Sequence, residues 1–368
     1  MNIHELLALM VEKKASDLHI RVPSPPVFRI DGILVPLTDL PDVTPDYARQ
    51  ALEQITTDEQ WNEFHEKKEL DLAYSVPGLA RFRLNAFFQR GTISLAIRQV
   101  SLDMPTIEDL GLPAVCRSFA LRTKGLVLVT GPTGSGKSTT LAAMINHLNH
   151  NDRRNVITIE DPIEYAHQND MCLIAQRDLG DDTTSFANAL RHTLRQDPDV
   201  ILVGEMRDLD TISTAITAAE TGHLVLSTLH TMSAPQTVER IVDVFPASQQ
   251  EQIRCQLSLV LEGVISQVLV PRAEGIGRVA AFEVMVGTDA IRSLIRENRI
   301  DQIPTYIQTG KQYGMQTLDQ SLQELVRSGV VDREEAAKRY SKPEDSRDPL
   351  AVGVGGRAPE AALAGQAR

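Results

Sequence analysis

Residues 125–140 read GLVLVTGPTGSGKSTT, and the reading of this stretch decides the fold. A short apolar run predicts a strand. The pattern G-x-x-x-x-G-K-[ST] is then met by Gly131, Gly136, Lys137 and Ser138, and TTLAAMINHLNH continues as a helix. Glycines let the backbone wrap with its N–H groups inward, at a helix N-terminus that already favours an anion. The predicted phosphate cradle is Gly131, Pro132, Thr133, Gly134, Ser135, Gly136, Lys137, Ser138 and Thr139. In it Lys137 reaches the β- and γ-phosphates, and the Ser138 hydroxyl takes Mg²⁺. A glycine-rich turn that merely fits the pattern would not have strand, loop and helix all in register.

Such a loop needs acidic partners on neighbouring strands. NVITIED, PDVILVGE and HLVLSTLH are apolar runs separated by helical patterns, which indicates a parallel sheet covered on both faces. VILVGE (200–205) delivers Glu205 to the carboxyl edge of that sheet, where it would order Mg²⁺ or polarise the attacking water. ITIEDPIEY (157–165) carries Glu160 and Asp161 to the same edge, and the turn at Pro162 brings Glu164 back toward it. Ser138, Glu160, Asp161 and Glu205 are the candidate metal ligands. A general base must lie within hydrogen-bond reach of the water, and spacing leaves Glu164 and Glu205 both open for that role.

TGHLVLSTLH (221–230) follows a helical pattern, TISTAITAAE, so LVLSTL reads as another sheet strand. His223 and His230 then lie about 23 Å apart along it, and about 10 Å apart even in a helix. Zinc holds each nitrogen at about 2.1 Å, so the two do not share a metal. His230 emerges at the carboxyl edge as a sensor of the γ-phosphate or its attacking water, with Thr228 and Thr231 as candidate hydrogen-bond partners. His223 sits at the other end of the strand, where a plain structural role is equally open.

Working outward, the N-terminus MNIHELLALMVEKKASDLHI reads as an amphipathic helix with Leu6, Leu7, Met10 and Val11 inward, not as a signal peptide. VFRIDG, with a turn at Asp31-Gly32, then ELDLAYSV, ARFRLNAFFQ and TISLAIRQV predict an antiparallel meander in a small α+β domain over residues 1–100. SLDMPTIEDLGLP (101–113) is the predicted linker, and residues 247–266 and 313–340 read as helical. The stretch from Pro343 onward is rich in Ala, Gly and Pro and is read as a disordered tail. Cys116, Cys172 and Cys255 are scattered without a Cys-x-x-Cys pair, which excludes a cysteine-rich zinc module and fits a reducing compartment. A formal net charge of −12 argues against a protein that coats nucleic acid. No apolar run reaches the roughly 20 residues of a membrane span, so the expected location is cytoplasmic.

Taken together, GPTGSGKSTT, ITIEDPIEY, VILVGEMRD and TGHLVLSTLHT resemble the Walker A, Asp box, Walker B and His box of the secretion and pilus ATPases, which are hexameric RecA-like motors. ASDLHI, ELDLAYSV and RFRLNAFFQR look like their N-terminal PAS-like domain. The likeness covers about residues 1–340 and is closest to the type IV pilus retraction, or twitching motility, ATPases. The chain starts directly at the PAS-like domain, lacks a four-cysteine zinc motif, and carries AIRSLIREN (290–298), which resembles the retraction signature with Ser293 where Asn is usual.

The resemblance implies an α/β fold: a PAS-like domain (1–100), a linker (101–113) and a RecA-like P-loop ATPase domain (114–342) with a parallel sheet. It implies ATP and Mg²⁺ as cofactors and catalytic roles for Glu205, Glu164, His230 and His223. Arg81 and Arg83 look like the arginines that complete the nucleotide site, from the same or a neighbouring subunit; guanidinium suits phosphate because it stays charged and binds bidentately. The expected partners are five further copies in a homo-hexamer, an inner-membrane pilus platform protein and an accessory paralogue ATPase, with no nucleic acid and no membrane insertion. The expected place of work is the cytoplasmic side of the inner membrane. The competing readings are a nucleotide-binding ring regulator with little hydrolysis, an extension or secretion ATPase of the same superfamily, and a helicase. The helicase reading lacks a basic or aromatic strand-binding surface.

Overall fold

The computed structural model describes residues 2–30, 32–100, 104–275 and 277–340. Residues 101–103 of the predicted linker, Asp31 of the predicted turn and the whole tail from residue 343 lie outside them.

The chain begins with α1 (Ile3–Glu12), β1 (Asp17–Ile20), β2 (Val27–Ile30), β3 (Ile33–Pro36), α2 (Pro45–Glu53), α3 (Asp58–Lys67), β4 (Glu69–Val76), β5 (Ala80–Gln89) and β6 (Thr92–Gln99). Helix α1 starts where it does because Asn2 and Glu5 form a reciprocal capping box. Ile3, Leu6, Leu7 and Met10 then recur on one face and are buried to within 1 %. The strands pair in the order β3-β2-β1-β6-β5-β4, all antiparallel. Of the segments read as a meander, ELDLAYSV, ARFRLNAFFQ and TISLAIRQV pair consecutively as β4-β5-β6, whereas VFRI is β2 and pairs with β1 and β3 instead. Strand β1 adds to the side of the meander, and the helices α2 and α3, not anticipated from the sequence, complete a separate core with Phe28, Phe64 and Phe82 fully buried.

The rest of the chain runs α4 (Val115–Ala120), β7 (Gly125–Thr130), α5 (Lys137–Asn151), β8 (Asn155–Glu160), β9 (Leu173–Asp178), α6 (Phe186–Thr193), β10 (Val200–Val203), α7 (Leu209–Glu220), β11 (Leu224–Leu229), α8 (Ala234–Asp243) and α9 (Ala247–Val260). It closes with β12 (Leu261–Pro271), β13 (Arg278–Val286), α10 (Asp289–Arg296), α11 (Ile303–Thr309), α12 (Leu318–Arg327) and α13 (Arg333–Ala337). Among the described residues these strands form one sheet in the order β13-β12-β7-β11-β10-β8-β9, parallel except for β13. Every residue of β7, β10 and β11 is buried, because α4 and α5 cover one face and α6 to α10 the other. This is the α/β architecture with a parallel sheet that the P-loop context demanded. Ile107 and Leu112, from the segment read as linker, are buried in the core beside α4 and α5.

Two helical readings are corrected. The stretch 247–266 is helical only to Val260; from Leu261 it is strand β12. LEGVISQVLVP carries four β-branched residues, which favour a strand, and at Gly263 a Cβ would lie 2.2 Å from the Phe119 ring, so only glycine lets the strand pass under α4. The stretch 313–340 is two short helices. Gly314 turns the chain in the left-handed region, a Thr317–Gln320 capping box starts α12, and Gly329 (φ +71) ends it.

The signature helix α10 carries Arg292, whose guanidinium donates to the carbonyls of Ser258 (2.9 Å), Leu259 (2.6 Å) and Gly287 (2.8 Å) and to Glu262 (2.8 Å). It thereby closes the turn from α9 into β12. Ser293 faces away and bonds Glu297 at 2.9 Å.

Gly263→Ala should force α4 off the sheet. Overpacking of this kind costs about 1–3 kcal/mol, and a urea unfolding midpoint unchanged from the parent would show that Phe119 yields freely.

Candidate nucleotide-binding site

The loop between β7 and α5 is shaped by backbone that only glycine tolerates. Gly131 has φ +139, and a Cβ there would lie 2.3 Å from the Gln267 carbonyl oxygen and 2.8 Å from Ser135 Oγ. Gly136 has φ +89 and is the N-cap of α5, with no side chain bonding the helix's first amides. Those amides and the helix dipole therefore present an unneutralised anion-binding end. Lys137 is folded back over the loop, donating to the carbonyls of Gly131 (3.0 Å) and Pro132 (3.1 Å). Burial lowers its pKa, and the charges of Glu205 and Glu164 oppose that.

The loop opens on a cleft of about 510 Å³. Thr133, Gly134, Gly136, Lys137, Ser138 and Thr139 line it from one side, and Glu160, Asp161, Glu164, Glu205 and His230 from the other. Ser135 does not line it: its hydroxyl is turned inward, buried and without a hydrogen-bond partner.

The acids differ in their surroundings. Glu205 leaves the sheet just beyond β10 and accepts from Arg207 Nε (2.6 Å) and His230 Nε2 (3.1 Å). Burial pushes its carboxyl up, but the Arg207 bond and the charges of His230 and Arg207 outweigh it and hold the group below its usual range. Glu160 accepts from Thr158 (2.6 Å) and Gln176 (3.1 Å). Burial pushes its pKa up to about 7, against those two bonds and with the charges of Asp178 and Glu164 adding to it. Asp161 and Glu164 are exposed to the cleft. Among the described residues no three His, Cys, Asp or Glu side chains converge on one point as a metal cage. The oxygen donors do suit a hard cation such as Mg²⁺, which takes only one or two protein ligands beside phosphate and water.

Several placements depart from the sequence reading. Thr228 and Thr231 do not partner His230: Thr228 donates to the Gly204 carbonyl (2.6 Å) and Thr231 pairs with Thr237 (2.6 Å). His223 is not brought into the cleft. Its ring bonds the Ala218 carbonyl at 2.9 Å and its own carbonyl accepts from Gly125 at 3.0 Å. That is the amino edge of the sheet, about 20 Å of strand from the loop. Arg81 and Arg83 flank the buried Phe82 on the outward face of β5, but neither lines this cleft. Arg81 has found an acid, Asp178, at 2.5 Å. A strand pattern does not reveal a partner 97 residues along the chain. Arg83 has no hydrogen bond or ion pair among the described residues and lines a second cleft, between β5 and the loop after β9.

The sequence reading also missed the residues that hold the site in shape. Gln267, on β12, accepts from Thr140 Oγ1 (2.9 Å) and donates to the Ser135 carbonyl (2.7 Å), so both ends of its amide clamp the phosphate loop. A lone glutamine in the apolar run VISQVLV was the available signal. Tyr165 OH lies 3.1 Å from Thr139 Oγ1 and joins the loop between β8 and β9 (residues 161–172, the acidic loop) to α5. His167, also at the cleft, is held neutral because burial lowers its pKa to about 4.

The family model described as Type II/IV secretion system protein matches residues 2–338. The chain is 49% identical over 345 residues to the "Type IV pilus retractation ATPase PilT" of Pseudomonas aeruginosa, covering 94% of this chain and 100% of that protein. It is 48% identical over 319 residues to the "Twitching motility protein" of Neisseria gonorrhoeae, covering 87% and 85%. Among solved structures it overlays on the "Crystal Structure of the Pilus Retraction Motor PilT and Bound ADP" with a TM-score of 0.87 and 44% identity, over 94% of this chain and 98% of that one.

Gln267→Leu keeps the volume but strands Thr140 Oγ1 and the Ser135 carbonyl. An unsatisfied buried polar group costs about 1–3 kcal/mol, so nucleotide affinity should fall about tenfold or more in an equilibrium titration with a fluorescent nucleotide. Unchanged affinity would mean the loop holds its shape without the clamp.

Proposed function

The chain belongs to the Type II/IV secretion system protein family, and on that premise we propose that it is the ATP-hydrolysing motor that retracts type IV pili. The observation that carries this reading is the match along nearly the whole chain to the pilus retraction ATPase of Pseudomonas aeruginosa. We read residues 1–100 as the PAS-like domain, 101–113 as the linker and 114–342 as the ATPase domain.

In this reading the triphosphate displaces the Gly131 and Pro132 carbonyls from Lys137, which gains phosphate oxygens in their place. The loop amides and the start of α5 hold the β-phosphate. The Ser138 hydroxyl would hold Mg²⁺ directly and Glu205 would hold it through water, and the cation would supply charge neutralisation at the phosphates. Asp161 is a second candidate for a metal-bound water, whereas Glu160 is already engaged by Thr158 and Gln176. Glu164 is the better general base. It is exposed to the cleft, while Glu205 is tied to Arg207 and His230 and held below the usual carboxylate range, which makes it a weak proton acceptor. His230, bonded to Glu205, reports phosphate loss to the strand β11. His223 has no part in its own chain's cleft. Arg83, uncompensated on an outward face, is the arginine we assign to completing the site of a neighbouring copy in a six-membered ring.

None of the helices among the described residues is long and apolar enough to cross a membrane. Force would therefore reach the pilus by docking on a platform protein at the cytoplasmic side of the inner membrane. The complete set of loop, acids and histidine disfavours an accessory ring subunit with little hydrolysis.

Lys137→Ala should abolish phosphate release while leaving the circular dichroism spectrum unchanged; wild-type turnover in that variant would end the enzyme reading. Glu205→Gln should retain nucleotide binding and lose hydrolysis. Deleting the gene and counting surface pili separates retraction, which gives more pili without surface motility, from extension, which gives none.

A further inference from the structure

Strand β9 is the edge of the parallel sheet, and two of its polar side chains grip the acidic loop from outside the cleft. Gln176 accepts from the His167 amide (2.7 Å) and donates to the Tyr165 carbonyl (2.9 Å). Asp178 Oδ1 accepts from the Ile163 amide at 2.8 Å. Ile163 lies between Asp161 and Glu164, both of which face the cleft. Asp178 is only 3 % exposed, and its second oxygen, Oδ2, accepts from Arg81 Nη2 at 2.5 Å. The two oxygens of one buried carboxylate thus hold two different bodies, the acidic loop and strand β5 of the antiparallel sheet. A weaker tie runs beside it, from the Ala73 amide on β4 to Asp181 Oδ2 at 3.3 Å.

Removing a guanidinium from a buried carboxylate leaves an uncompensated charge, which is strongly disfavoured. The carboxylate therefore follows Arg81 when the antiparallel sheet moves, and the Ile163 amide follows the carboxylate. A pair whose only task was to fasten the two bodies together would not need to share its carboxylate with the loop that carries Glu164.

We propose that Asp178 is a positioning residue: it couples the placement of the antiparallel sheet to that of Glu164 and Asp161, and Arg81 acts on turnover through it. The proposal rests on the reading of the acidic loop as part of the ATPase site. The test uses the full chain with Asp178→Asn, Arg81→Gln and the double variant. Asp178→Asn keeps an oxygen for the Ile163 amide and loses the charge that holds Arg81.

Each single change should lower kcat about tenfold with KM for ATP within about threefold, and the double should fall no further than the worse single. A double variant that multiplies the two losses would overturn the proposal, as would wild-type kcat in both singles. Loss in Arg81→Gln with a normal Asp178→Asn would overturn it too, and would make Arg81 a direct phosphate ligand. Hydrogen exchange of the peptide spanning residues 160–167 gives a readout independent of activity, and it remains available if Asp178→Asn does not fold. In Arg81→Gln the Ile163 amide should exchange about tenfold faster, with the exchange of β7 and β11 unchanged. Unchanged Ile163 exchange would refute the coupling even in an active enzyme. A wild-type chain without ATPase activity would instead refute the functional reading and leave the exchange result standing.

Discussion

The carboxyl ends of β7, β8, β10 and β11 meet at one edge of a parallel sheet, and this convergence is the constraint on which the site depends. Each strand releases a different group there: the phosphate loop after Thr130, Glu160 and the acidic loop, Glu205 after Gly204, and His230. Parallel pairing in continuous register places all four at one level, and no side chain in the cleft has to reach far to meet another. The same arrangement leaves His223 outside. A strand end is either the carboxyl end or the amino end, and six intervening residues of fully buried strand separate the two.

Much of this was readable from local spacing. The apolar runs, the glycines and the lysine are contiguous, and a parallel sheet follows from strands that are apolar on both faces. What escaped was held by contacts between residues far apart in the chain. The Arg81–Asp178 pair joins different sheets, and the Gln267 clamp joins β12 to the loop 132 residues before it. Strand β9 was missed because LIAQRD, half exposed at the sheet edge, lacks the apolar signature of the central strands. Strand β12 was absorbed into the preceding helix because Ile253, Leu257 and Val260 set a helical rhythm that the apolar residues of β12 do not visibly break. Periodicity does not distinguish buried helix from buried strand over so short a run.

The polar residues inside the C-terminal core are placed where the loop needs stiffness. Thr130 bonds Ser266 at 2.8 Å, Thr140 bonds Gln267, and Gln267 bonds the Ser135 carbonyl. A phosphate loop exposes backbone amides for its ligand and so lacks the internal bonds that stiffen a helix or strand. Hydrogen bonds from a neighbouring strand supply that stiffness without occupying the amides. The Ser135 hydroxyl, buried and unpartnered, is the exception within this network.

The signature helix α10 belongs to the same scaffold. Arg292 donates to the last carbonyls of α9, where the helix dipole is negative and a cation is favoured. It also bonds Glu262, which Arg122 approaches from the other side at 3.2 Å. These bonds fix the point at which α9 becomes β12, just where the β12–β7 register shifts between Leu261 and Gly263. A slip of one residue there would turn Gln267 to the opposite face of the sheet. The clamp on the phosphate loop would then be lost, although neither α10 nor Arg292 lines the cleft. Ser293 takes no part in this chain of contacts. Its hydroxyl bonds Glu297 on the outer side of α10, so the departure from the usual asparagine leaves the path from α10 to the loop intact.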